Sequence, residues 1–170
     1  MECGVRMLRE AFCPEAYESP ILRRSPFAPK PKAKPMLTGC FIHTVDEKCR
    51  ISLPARLRRS LPGSLVLTKG PDGCLWALSG DQWKAVAQRT DLSTPIERFF
   101  IASAYECSLG GKGRFLLPDA LRRHADIRPG EEVAIVGMRG RIEIWSARRW
   151  HAANSQITTD HIRDNLPEFF

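Results

Sequence analysis

The sequence predicts an α+β, β-rich fold in which two tandem repeats interleave into one body. Two internal features and one size argument lead there. First, residues 40–59 (CFIHTVDEKCRISLPARLRR) align with residues 104–123 (AYECSLGGKGRFLLPDALRR) at a constant spacing of 64. Lys48/Lys112, Arg50/Arg114, Leu53/Leu117, Pro54/Pro118, Leu57/Leu121, Arg58/Arg122 and Arg59/Arg123 coincide, and the match resumes at a spacing of 67 with Pro62/Pro129, Gly63/Gly130, Val66/Val133, Gly70/Gly137, Gly73/Gly140, Ser79/Ser146 and Trp83/Trp150. A fixed self-similar period marks a repeat architecture. Second, the apolar runs are strand-sized and bounded by turn residues. Third, a unit of roughly 50 residues buries too little surface to offset its chain entropy alone. Two such units resolve this by pooling their strands in one core, and any strand edges left unpaired favour further association.

Each copy reads as strand, turn, strand, short helix and hairpin. In the first, residues 39–45 form a strand, 46–48 a turn and 49–53 a second strand. Pro54 suits the first helical position, where its missing N–H removes no intrahelical bond. Leu53, Leu57 and Leu61 recur every four residues as one apolar stripe, which leaves Arg58 and Arg59 largely off the buried face. Pro62-Gly63 stops that helix. Residues 65–69 and 74–78 then flank the turn Gly70-Pro71-Asp72-Gly73, and residues 133–136 and 141–145 flank residues 137–140 in the second copy. Ser79 and Ser146 cap short helices that Trp83 and Trp150 dock, and all four tryptophans (Trp76, Trp83, Trp145, Trp150) are assigned to core packing. A helix over 94–102, with Ile96, Phe99 and Phe100 inward, joins the copies.

The domain plan is therefore a Pro/Lys-rich extension over 1–35, a first repeat over 36–93, a linking helix over 94–103, a second repeat over 104–153 and a tail over 154–170. Six of the 13 prolines lie in the extension, which ends in Pro29-Lys30-Pro31-Lys32-Ala33-Lys34-Pro35. That density opposes both helix and sheet, so the segment is expected to be disordered, either a basic arm for phosphate contacts or a solvated tail. Ile157, Ile162, Leu166, Phe169 and Phe170 make the tail apolar enough to cap a neighbour or pack on its own body.

Charge narrows the partners. The formal net charge is +7, which favours a polyanion. No apolar run reaches the roughly 18–20 residues needed to span a bilayer, and the first thirty residues lack the pattern of a secretory signal, so no membrane association and a cytoplasmic location are expected. Six cysteines (Cys3, Cys13, Cys40, Cys49, Cys74, Cys107) show no C-x-x-C pairing and are read as reduced thiols. His43, His124, His151 and His161 lack metal-ligand spacing, so neither metal nor cofactor is expected. His43, three residues before Asp46, is read as a satisfied strand histidine, with facing DNA as the alternative, and the other three as surface residues. Cys107 and Ser108 have no His or carboxylate placed to activate them, so the chain is not read as an enzyme.

The chemically distinctive element is Asp46-Glu47-Lys48-Cys49-Arg50, repeated as Gly110-Gly111-Lys112-Gly113-Arg114. A turn aspartate accepts backbone N–H bonds, and an arginine opening the next strand projects a rigid fork of donors that matches guanine O6 and N7, or a phosphate. Lys48 and Lys112 add charge beside it, and Arg58, Arg59, Arg122 and Arg123 add more from the following helix. Spacing alone leaves two readings level: base or phosphate recognition, or an Asp46–Arg50 pair across a tight turn with arginines that merely solubilise a helix.

The stretch Met36-Leu37-Thr38-Gly39, the D-x-K-x-R turn, ISLPARLRR from Ile51, KGRFLLPDALRR and IEIWSARRW together resemble the MraZ family of bacterial transcriptional regulators, over about residues 36–150. The resemblance implies a tandem swapped-hairpin β-barrel of AbrB-like repeats. It also implies sequence-specific binding to double-stranded DNA at the promoter of the division and cell-wall gene cluster, usually repressing it, by a nucleoid-associated homo-oligomeric ring on direct repeats. The family's D-x-x-x-R signature falls on Asp46 and Arg50, and on Gly110 and Arg114. The arginine pair of the AbrB pattern falls on Arg58 and Arg59, and on Arg122 and Arg123. Cys49 stands where the family prefers glycine, so a positive φ there is strained, and Gly110 replaces the turn aspartate, which leaves Arg114 less firmly held. Family members usually begin near Met-x-x-Gly, here residues 36–39, so residues 1–35 are either a misplaced upstream start or a lineage-specific extension. The competing class is an antitoxin-like protein-interaction module without strong DNA affinity.

Overall fold

The computed structural model describes residues 36–59, 61, 63–89 and 91–166. The expected disorder of 1–35, the helix stop at Pro62 and the terminal Phe169-Phe170 lie outside the described residues.

Among the described residues the strand pattern of both copies is realised as eight strands: β1 (Leu37–Thr44), β2 (Arg50–Ser52), β3 (Ser64–Lys69) and β4 (Leu75–Leu78) from the first, and β5 (Tyr105–Ser108), β6 (Arg114–Leu116), β7 (Glu132–Arg139) and β8 (Arg141–Ser146) from the second. Six of them form one antiparallel sheet in the order β1-β7-β8-β4-β3-β5, and β2 and β6 form a separate two-stranded ribbon. Apart from the hairpins β3–β4 and β7–β8, every pairing joins strands of different repeats. The interleaving expected from the size argument is thus built at the level of backbone hydrogen bonds. A closed barrel is not formed among the described residues: β1 and β5 end the sheet as edges, and the ribbon strands pair with neither of them.

The core explains the pairing. Leu53, Leu57, Leu61, Leu65, Leu67 and Leu75 of the first repeat pack with Phe115, Leu117, Leu121, Ile127, Val133, Ile135, Ile142 and Ile144 of the second in one buried cluster. Leu57 and its counterpart Leu121 are almost wholly buried on short helices, α1 (Ala55–Arg58) and α4 (Asp119–His124). Pro54 and Pro118 cap these helices from one residue outside, with ψ near 136° and 139°, rather than occupying the first helical position. Proline fixes φ for the entry, while the Pro54 carbonyl accepts from the Leu57 and Arg58 amides.

Serine caps open the helices after each hairpin. In α2 (Gly80–Ala87), Ser79 and Gln82 form a reciprocal capping box, and in α5 (Ala147–Ser155), Ser146 accepts from the Arg149 amide. Of the four tryptophans only Trp145 is buried. Trp150 leans on it at 5.9 Å, and Trp76 meets the Arg141 guanidinium at 4.3 Å and the Phe100 ring at 5.1 Å, partly open to solvent. The joining helix α3 (Thr94–Phe100) presents Phe99 and Phe100 inward, but Ile96, one turn earlier toward the helix start, is 43% exposed. His124 is no plain surface residue: its ring bonds the Gly70 carbonyl at 3.0 Å and meets Phe99 edge-on. The tail adds α6 (Thr159–Asn165), with Ile157, Ile162 and Leu166 exposed. Among the described residues, no helix is long and apolar enough to cross a membrane.

The second hairpin is tighter than its sequence suggests. Gly137 sits within β7, opposite Gly39 of β1, and only Arg139-Gly140 make the turn. A Cβ at Gly137 would lie 2.6 Å from the Thr38 amide nitrogen, so the glycine is there for backbone approach. We predict that Gly137→Ala destabilises the fold by about 1–3 kcal/mol in urea unfolding, whereas Gly111→Ala, in open space, changes stability by less than about 0.5 kcal/mol.

Candidate nucleic-acid interface

The two distinctive turns lead directly into the ribbon. In the first, the Asp46 amide donates to the Arg50 carbonyl and the Cys49 amide to the Asp46 carbonyl, both at 2.9 Å. In the second, the Gly110 amide donates to the Arg114 carbonyl at 2.9 Å and the Gly113 amide to the Gly110 carbonyl at 2.6 Å. The turns also lock onto one another's strands. The Leu117 amide donates to the Cys49 carbonyl, and the Leu53 amide to the Gly113 carbonyl. The backbone frame is therefore the same twice over, and only the side chains differ.

Cys49 carries φ of 57° and its counterpart Gly113 φ of 73°. The position requires the left-handed region in both copies, and the first copy meets it with a residue that has a Cβ. The strain anticipated from the sequence is present in the backbone.

Asp46 holds Arg50 at two points. Its Oδ1 accepts the Arg50 amide at 2.8 Å and its Oδ2 accepts Nε–H at 2.9 Å. The backbone bond from Arg50 is the main influence that lowers the Asp46 carboxyl below its usual value, and the side-chain bond and charge of Arg50 add to it. Because the folded value is depressed, the clamp is fully charged above the ordinary 3.8 and is lost only as pH falls below it. With Nε occupied, the two terminal nitrogens of Arg50 make no hydrogen bond among the described residues, and the side chain is 41% exposed. Gly110 offers Arg114 no such carboxylate, and among the described residues Arg114 makes no ion pair.

Register decides which way these side chains face. Arg50 pairs with Leu116, Ile51 with Phe115 and Ser52 with Arg114. Strand alternation sends Ile51 and Phe115 into the core, at 2% and 3% exposure, and places Arg50, Ser52, Arg114 and Leu116 together on the outer face. Lys48 and Lys112 are exposed in the adjoining turns.

The helix arginines divide by copy. In α4, Asp119 takes Arg122 on one carboxylate oxygen at 2.6 Å and Arg123 on the other at 2.7 Å, while Arg122 also donates to the Ile127 carbonyl. Arg122 is only 20% exposed and ties down its own helix end. In α1, Ala55 replaces the aspartate, and among the described residues neither Arg58 nor Arg59 makes an ion pair. Arg58 is half-buried, its stem so close to Gly113 that a Cβ there would stand 2.9 Å from Arg58 Cδ, and Arg59 is exposed. The fold thus gathers Asp46, Lys48, Arg50, Lys112 and Arg114 at the ribbon. The Asp119 clamp went unread in the sequence, although an aspartate three and four residues before two arginines was the signal for it. We predict that Cys49→Gly raises stability by about 0.5–1 kcal/mol in chemical unfolding, the relief of left-handed strain less the added freedom of glycine.

Comparison with known proteins agrees with the duplication. The family model described as MraZ protein matches twice, over residues 36–101 and 100–165. A protein of Caldanaerobacter subterraneus named transcriptional regulator MraZ is 36% identical over 143 residues, covering 79% of this chain and 99% of the relative. Bearing the same name, a protein of Heliobacterium modesticaldum is 38% identical over 143 residues (79% and 99%), and one of Alkaliphilus metalliredigens is 36% identical over 142 residues (78% and 98%).

Proposed function

Since the chain belongs to the MraZ family, a family of transcriptional regulators, we propose that it regulates transcription by binding specific double-stranded DNA through the outer face of the β2–β6 ribbon, as a repressor of the division and cell-wall gene cluster promoter. The observation that carries this reading is the Asp46 clamp on Arg50, which orients a two-nitrogen fork outward from an exposed, positively charged ribbon. A fork in that state suits guanine O6 and N7 in the major groove, which admits a two-stranded β-ribbon. Lys48, Lys112, Arg58 and Arg59 supply phosphate contacts, Arg123 supplies one once drawn from Asp119, and Arg122 acts by holding its helix.

The cross-repeat pairing supports a swapped-hairpin description of the repeats, with domain limits at 36–93, 94–103, 104–153 and 154–170. Two strand edges, β1 and β5, support assembly of several copies. A ring of copies would bind direct promoter repeats by many weak contacts at once, and a site of action on cytoplasmic, nucleoid-associated DNA follows from that activity.

Titration of the full chain on DNA from upstream of its own gene tests the proposal. Arg50→Ala is expected to lower affinity by about 10-fold or more, from loss of a bidentate base contact, and Arg114→Ala by less, because Arg114 lacks a clamp. Equal losses, or a larger one for Arg114, contradict the assigned asymmetry. Affinity of the unsubstituted protein should fall steeply with salt, and salt-insensitive binding would refute the phosphate contacts. Asp119→Ala removes an anion and releases Arg123, so it is expected to tighten binding by about 2-fold or more and to steepen the salt dependence.

A further inference from the structure

The outer face of the ribbon carries one residue that hydrogen bonding and charge leave unexplained. Leu116 is 56% exposed, directly opposite Arg50 in the antiparallel register. Its neighbours on that face are Ser52 and Arg114, and the turns beside it hold Lys48 and Lys112. Elsewhere in this ribbon the apolar side chains, Ile51 and Phe115, point inward and are buried. The matching position in the first copy is Ser52, so the duplicated frame does not require an apolar side chain there.

We propose that Leu116 is a specificity-determining residue that contacts the 5-methyl group of a thymine in the major groove, beside the guanine taken by Arg50. The inference rests on the ribbon being the DNA-reading surface. Four cations lie around Leu116, one of them Arg50 paired with Asp46, and that balance favours a polyanion over an apolar protein partner at this spot. A leucine neither donates nor accepts a hydrogen bond, and the apolar feature that a base pair displays in the major groove is the thymine methyl. Side chains directly opposite in an antiparallel pair stand about 5 Å apart at Cβ. The guanine and the thymine are therefore immediate or next neighbours along the duplex. Ser52, in the equivalent place near Arg114, has no comparable apolar surface, so the two copies read different base steps from one backbone frame.

The test replaces each thymine in the promoter duplex, one at a time, by deoxyuridine, which removes the methyl and keeps the pairing. The full chain, Leu116→Ala, Leu116→Ser and Arg50→Ala are titrated on the whole set, with circular dichroism to verify folding. Leu116→Ser installs the residue that the first copy carries, so it keeps the ribbon intact should alanine perturb it. For the unsubstituted chain, one thymine position per recognised site should lower affinity about 3- to 5-fold, the worth of burying one methyl. Both Leu116 variants should bind the thymine duplex weaker by the same factor and lose all response to deoxyuridine there, while Arg50→Ala keeps the thymine response at lower overall affinity. If the unsubstituted chain and the Leu116 variants respond alike at every position, the thymine contact is overturned while Arg50-dependent binding leaves the DNA reading standing. If Arg50→Ala binds as tightly as the unsubstituted chain, the reading on which the inference rests fails with it.

Discussion

The three-residue pairing of β2 with β6 is the contact on which the rest depends. It joins the two repeats at their most symmetric point, with Ile51 opposite Phe115, and each turn carbonyl receives an amide from the other repeat. Because side chains alternate across a strand, the same register that seals two apolar residues into the shared core forces Arg50 and Arg114 outward together. A slip of one residue would bury the arginines and expose Ile51 and Phe115. Core formation and display of the guanidinium groups are therefore one constraint. A substitution that disturbs the apolar side of the ribbon disturbs the charged side as well.

Duplication supplies the frame, and divergence supplies the asymmetry. The backbone hydrogen bonds of the two turns correspond one for one, yet the first turn carries a carboxylate that orients its arginine and a cysteine in the left-handed region, while the second carries three glycines. On the following helices the relation reverses. Asp119 engages Arg122 and Arg123, and Ala55 leaves Arg58 and Arg59 unclaimed by any carboxylate among the described residues. The first copy thus presents an arginine held by a carboxylate and, nearby, helix arginines unpaired among the described residues. The second presents a looser arginine and partly neutralised helix charge. Under the proposed DNA reading, such a pair suits an asymmetric half-site better than a palindrome within one chain.

Much of this was legible in the sequence because it was written twice. The apolar stripe Leu53-Leu57-Leu61, the serine caps at Ser79 and Ser146, and the strained position at Cys49 follow from local chemistry and are found where expected. What depended on distant neighbours was not legible. Gly137 reads as a turn glycine until β1 is laid against it, and His124 reads as a surface residue until the Gly70 carbonyl is brought to its ring. The open sheet with edges at β1 and β5, in place of a closed barrel, depends on which strands fail to meet, and no local pattern records that. At the candidate site, the sequence identified the charged residues but not their states. Arg122 is engaged, Arg50 is held through its amide and Nε, and Leu116 stands exposed among cations.

The most direct measurement is methylation protection at guanine N7 along the promoter duplex, since N7 lies in the major groove, where the proposed function puts the Arg50 fork. The unsubstituted chain should shield a small, regularly spaced set of guanines, and Arg50→Ala should expose them again while phosphate-backbone protection persists. Guanine N7 shielding that is identical with and without the Arg50 side chain would contradict the account.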